Sequence, residues 1–146
     1  MAIIQKIPTP ITPVKFDKES KNITLAYFEQ KSTVDYIGVV QGVAICFDAK
    51  ETRLKNFPLR NVHSHQIEFM ENFSNQQGIA FLIIYFARYE EYYYLPYKTL
   101  KLYWDNAAQG AKKHIPYEDF DKNNLIKLKD KQIVHYLEIL AKNIII

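Results

Sequence analysis

An α/β fold is predicted by three stretches of this chain. Residues 43–50 (VAICFDAK) alternate in a strand-like way, with Val43, Ile45 and Phe47 pointing to one side and Cys46, Asp48 and Lys50 to the other. Residues 64–75 set Ile67, Phe69, Met70 and Phe73 among polar residues, the pattern of an amphipathic helix packed on a sheet. Residues 79–86 (IAFLIIYF) form a continuous apolar run of strand length, which predicts a strand buried on both faces.

The remaining elements follow in chain order. Residues 13–16 and 23–28 read as two strands around the polar turn 17–22, a β-hairpin. Gly38 and Gly42 lie between Asp35 and the strand at 43–50, so the chain is expected to fold back there. After the buried strand, residues 91–95 are expected to pair beside it, and a helix is expected at 98–105, after Pro96. Residues 131–144 space Ile133, Leu137, Leu140 and Ile144 as one buried helix face requires, which predicts a closing C-terminal helix.

Composition bounds the class of protein. At 146 residues and 48% hydrophobic content, a single domain (1–146) with a sizeable core is expected. The longest apolar run, residues 79–87, is too short to span a bilayer, so no membrane partner is expected. The opening MAIIQKIPTPI has no long apolar core and is interrupted by Pro8 and Pro10, unlike a signal peptide. Cys46 is the only cysteine, which rules out an intrachain disulfide and fits a reducing, cytoplasmic setting. The net charge of +3 is mild, but lysines gather early (Lys6, Lys15, Lys18, Lys21, Lys31), and Lys112, Lys113 and His114 form a second cluster. Any DNA binding through such cations weakens steeply with salt.

The chemistry-bearing pattern is Asp35 followed by Asp48-Ala49-Lys50. A lone acid and then acid-x-Lys is the skeleton of Mg-dependent phosphodiester cleavage. Asp48 and Lys50 share one strand face, and the intervening turn brings Asp35 near. Two adjacent carboxylates repel unless a cation lies between them. Mg²⁺ suits such a site because it takes oxygen ligands while keeping waters and accepting phosphate oxygens. Lys50 would offset charge on the reacting phosphate. Taken alone, Asp-x-Lys at a strand end is more often a solvated edge. His63, His65 and Cys46 do not make a zinc set, because four ligands at zinc-site spacing are lacking. The aromatics Tyr92, Tyr93, Tyr94, Tyr97, Tyr103 and Trp104 are able to stack on unpaired bases, but core or interface packing is the commoner use.

Several segments coincide in order and spacing with one family. IPTP (7–10), LAYFEQKSTVDYIG (25–38), FDAKET (47–52), FPLRNVHSHQIEFM (57–70), QGIAFLII (77–84), LYWD (102–105) and QGAKKHIPYEDF (109–120) resemble the RecU family of Holliday junction resolvases. The resemblance implies a restriction-endonuclease-like fold of the PD-(D/E)xK type with a mixed central sheet. It also implies a homodimer, Mg²⁺ dependence and cleavage of four-way, branched DNA junctions in recombination and repair. The family's metal-site residues fall on Thr33, Asp35, Asp48 and Gln66, and its transition-state lysine on Lys50. Asp35, Asp48 and Lys50 are thus the expected catalytic residues, with an amide oxygen of Gln66 expected to face the metal. The hairpin region, residues 8–32, corresponds to a stalk projecting toward the junction centre and carrying Lys15, Lys18 and Lys21 to the DNA.

The chain also departs from the family pattern. Asp48 stands where relatives typically carry Glu, and Cys46 and Ile37 where they often carry polar residues. Met1 stands only six residues before the IPTP segment, whereas family members normally have an upstream helix with a Glu near the active site. The expectation is a junction endonuclease; the alternative is a catalytically weak or inactive junction-binding protein on the same fold.

Overall fold

The computed structural model describes residues 1–8, 11–28 and 33–127. The helix expected at 131–144 lies outside these residues. In chain order the elements are β1 (Ala2–Lys6), β2 (Ile11–Asp17), β3 (Asn22–Phe28), β4 (Tyr36–Val40), β5 (Val43–Thr52) and β6 (Asn56–Pro58). They continue with α1 (Ser64–Asn75), β7 (Ile79–Phe86), β8 (Glu91–Pro96), α2 (Tyr97–Ala108), β9 (His114–Pro116) and β10 (Leu125–Ile126).

A six-stranded sheet runs in the order β1-β4-β5-β7-β8-β10. It is mixed, because β5 and β7 are parallel, joined through α1, while the other pairings are antiparallel. β2 and β3 form a separate two-stranded ribbon, the hairpin expected from sequence, with its strands extended to Ile11 and Asn22. At its tip the Asp17 carboxylate accepts bonds from the Ser20 hydroxyl (2.6 Å) and the Glu19 N–H (3.0 Å), a local Asx-type closure that also lowers its pKa.

Two corrections to the sequence reading concern the start of the sheet. β1 was not expected, yet it pairs along the whole of β4. Of the two glycines, only Gly42 makes the turn: with φ +83° it follows Gln41 at φ 49°, a two-residue hairpin loop between Val40 and Val43. Gly38 lies inside β4, where a Cβ would meet the Ile3 carbonyl oxygen at 2.3 Å. Its missing side chain is what lets β1 close on β4.

The two faces of the sheet bury different clusters. One face packs Cys46, Leu82, Ile84, Phe86, Tyr93 and Leu95 with Ile67 and Met70 of α1 and Tyr97 and Leu100 of α2. The other gathers Val40, Ile45, Phe47, Phe81, Ile83, Tyr94 and Ile126. There the rings of Tyr36, Phe47 and Phe81 stack at centroid separations of 4.7 and 4.9 Å, and Tyr94 lies tilted against Phe81 at 4.6 Å, so the row crosses four strands. Tyr93 and Tyr94 are therefore core residues. Near the end of the described chain, the Lys122 ammonium donates to the phenols of Tyr93 (2.7 Å) and Tyr117 (2.8 Å), and both phenols donate to Glu91. This network ties the segment after β9 to β8. Among the described residues no helix is long and apolar enough to cross a membrane.

Candidate active site

Strand alternation delivers Asp48 and Lys50 to the helix-bearing face, because they pair in register with Leu82 and Ile84 of β7. Asp48 is buried (1% exposed) and Lys50 reaches the surface (17%). The Lys50 ammonium donates to Asp48 Oδ2 at 2.7 Å. Asp35 lies just before β4, at a position fixed from two sides. Its carbonyl accepts the Ile7 N–H (2.7 Å), a continuation of the β1–β4 pairing, and its own N–H donates to Asp48 Oδ1 (2.7 Å).

Gln66 comes from the first turn of α1 and is buried. Its Nε2 donates to Asp48 Oδ2 at 2.9 Å, while Oε1 accepts from Lys50 Nζ and from the His63 N–H, each at 3.2 Å. The second acceptor bond caps the helix, in the manner of a Gln at N3 reaching back to the N-cap backbone. In this state the amide presents its nitrogen to the carboxylate, and its oxygen is shared by lysine and cap.

Electrostatics single out Asp35. Burial, then the Asp48 charge and a hydrogen bond with Asp48, hold its carboxyl above the ordinary aspartate value; a bond from the Ala49 N–H and the Lys50 charge act the other way. Such a repelling pair is relieved by a cation. Among the described residues no group of three or more His, Cys, Asp or Glu could hold a metal ion. A buried carboxylate beside a half-buried one is nonetheless a pair that Mg²⁺ accepts, since it completes its shell with waters and substrate oxygens. Thr33, half-buried, stands two residues before Asp35 on the segment entering β4.

Other candidates separate from this cluster. Lys15, Lys18 and Lys21 are exposed on the β2–β3 ribbon and its turn. Cys46 is fully buried, and desolvation, followed by the Asp48 charge, pushes its thiol up to about 12. The imidazoles of His63 and His65 stack at 5.4 Å at the start of α1. Sequence reasoning missed Ile7 and His63 as backbone partners of the site. For His63 the available signal was its place directly before the expected helix whose first turn carries Gln66; for Ile7 there was none, because the pairing of β1 was not expected.

A family model described as Recombination protein U matches residues 1–142. The Holliday junction resolvase RecU of Oenococcus oeni is 45% identical over 147 residues, covering 97% of this chain and 74% of that protein. Its namesake from Staphylococcus epidermidis is 43% identical over 150 residues, covering 92% and 72%. That of Oceanobacillus iheyensis is 43% identical over 146 residues, covering 97% and 74%. With a family model that spans β1 through β10 and relatives of this identity over nearly the whole chain, the chain belongs to the RecU family.

Proposed function

We propose that this protein is a Mg²⁺-dependent, structure-selective endonuclease that resolves four-way DNA junctions in recombination and repair, on a core of the PD-(D/E)xK type. The observation that carries the reading is the bond from the Asp35 backbone N–H to Asp48 Oδ1 (2.7 Å), which holds the two acids together, with Lys50 on the same strand face 2.7 Å from Asp48. Relatives bearing the resolvase name support the substrate. Asp35 and Asp48 would hold the cation, with the Thr33 segment and Gln66 at its border. A bound divalent ion supplies a more acidic water and offsets phosphate charge.

The chain's own residues do the rest. Asp48 Oδ2 is engaged by Lys50 and Gln66. Lys50, which also donates to the Gln66 oxygen (3.2 Å), would stay beside the site and face the phosphate as a point charge if Asp48 held a cation. Exposed Lys15, Lys18 and Lys21 would neutralise phosphates near the branch, which makes binding salt-dependent. A two-fold homodimer suits the task, because an isologous interface sets two identical sites at a fixed separation for two equivalent strands. A carboxylate–lysine–amide set assembled within one chain favours the enzyme over an inactive junction binder.

The test is nicking of a labelled four-way junction at about 10 mM Mg²⁺, an excess for a weakly held ion, beside linear duplex. Symmetrical nicks lost in Asp35→Asn, with junction binding retained in Ca²⁺, support the reading. Equal nicking by Asp35→Asn sinks the site assignment, and binding without nicking makes the protein a junction binder.

A further inference from the structure

Two features picked out in the sequence take no part in the site described above: Trp104 and the basic run Lys112–His114. The fold brings them to one place. A groove of about 750 Å³ is lined by Leu54, Trp104 and Ala107 together with Arg60, Lys113 and His114. Leu54 is an exposed large apolar side chain, and Trp104 is only half-buried. None of the described lining residues is acidic. Arg60 and Lys113 are held side by side by backbone: the Leu59 N–H donates to the Lys113 carbonyl (3.0 Å), and Pro58 pairs with His114 across β6 and β9.

The groove adjoins the candidate active site along the chain. Leu54 follows Lys50 by four residues, a span of at most ~14 Å, which about four nucleotides stacked at ~3.4 Å each would cover. An apolar hollow with an indole at its side and the basic side chains of Arg60 and Lys113 among its walls suits a ligand that is flat and aromatic in one part and anionic in the next. A nucleotide has that chemistry, since any base stacks on an aromatic ring while its flanking phosphates take Arg and Lys. An acidic peptide shares the charge, but it has no reason to lie beside a phosphodiester-cutting site.

We propose that this groove receives an unpaired nucleotide of the junction a few positions from the cut phosphate, its base stacked on Trp104 and its phosphates held by Arg60 and Lys113. The proposal rests on the nuclease reading of Asp35, Asp48 and Lys50, and it adds to it a site for strand separation near the branch.

Trp104 is the only tryptophan of the chain, so its emission reports on the groove in the native protein. A labelled four-way junction is titrated in Ca²⁺, with anisotropy and tryptophan emission read together, beside oligothymidylate and blunt duplex. Emission is expected to fall by roughly half or more with junction and oligothymidylate, at the concentrations where anisotropy rises, and much less with duplex, as base–indole stacking requires. Lys113→Ala, whose exposed side chain is separate from the backbone bond to Leu59, is expected to weaken oligothymidylate binding about fivefold and lower the salt slope by about 1. Anisotropy that rises while emission stays constant overturns the groove and leaves the nuclease reading standing. So does equal quenching by blunt duplex. Quenching by an acidic peptide or by rising protein concentration, but not by DNA, also overturns it and assigns the groove to a protein partner or a second copy. A junction that does not bind at all removes the underlying reading and this proposal with it.

Discussion

The two faces of β5 differ by one residue step and follow opposite physics. Ile45 and Phe47 join a cluster of hydrocarbon and stacked rings that crosses four strands. Cys46, Asp48 and Lys50 face the helices, and there a carboxylate only 1% exposed takes three donors, from the Asp35 backbone, Gln66 and Lys50. The first face gains from every contact, through area and ring geometry. The second is a compromise, because desolvating an ion pair offsets much of its attraction. Rigidity supplied by the ring face lets the same strand hold charges in a geometry they would not keep alone.

The contrast breaks most sharply on the charged face. Lys50→Ala is expected to slow junction nicking by about 10³–10⁴-fold, roughly 4–5.5 kcal/mol. It should cost only about 1–2 kcal/mol of stability, since Asp48 keeps two N–H donors; single-turnover rates and urea titration separate the two. Phe81→Ala tests the opposite face. A loss of about 3–5 kcal/mol in stability is expected for this fully buried ring, with nicking by the molecules that remain folded unchanged.

Gln66→Ala belongs to both worlds, removing a donor to Asp48 and the acceptor for the His63 N–H. A stability loss of about 1–3 kcal/mol is expected, visible in urea titration and as early fraying of α1 by hydrogen exchange. The smallest effect has the opposite sign. The Asp35 carboxyl is held above its unfolded value, so its ionisation disfavours the fold: the penalty is absent well below the ordinary aspartate value and fully developed above the raised one. Without metal at neutral pH, Asp35→Asn should therefore raise the Tm slightly, the gain kept small because solvent screens this half-buried carboxylate. Added Mg²⁺ should raise the Tm of the parent and leave the variant nearly unmoved.

Elements with a strong period were legible in the sequence. α1 and β7 run over the residues that the amphipathic and apolar patterns mark, Ser64–Asn75 and Ile79–Phe86. The sharing of one face by Asp48 and Lys50 follows from alternation alone. What escaped depends on partners distant in sequence. β1 is a short edge strand whose pairing is enabled by the bare backbone of Gly38, some 34 residues further on. β6, β9 and β10, at three, three and two residues, are too short to show any period. The orientation of the Gln66 amide is decided by three groups from two other segments, so helix periodicity places the residue without saying which way its oxygen points.

That amide also makes the first turn of α1 an informant. The Gln66 oxygen serves the His63 N–H and Lys50 at once, so any occupant of the site that recruits this oxygen competes with the helix cap as well as with Lys50. By reciprocity, whatever tightens the cap weakens that occupant by the same factor. The exchange rate of a single backbone proton, on His63, is thereby a gauge of events at the carboxylates, readable without any DNA being cut.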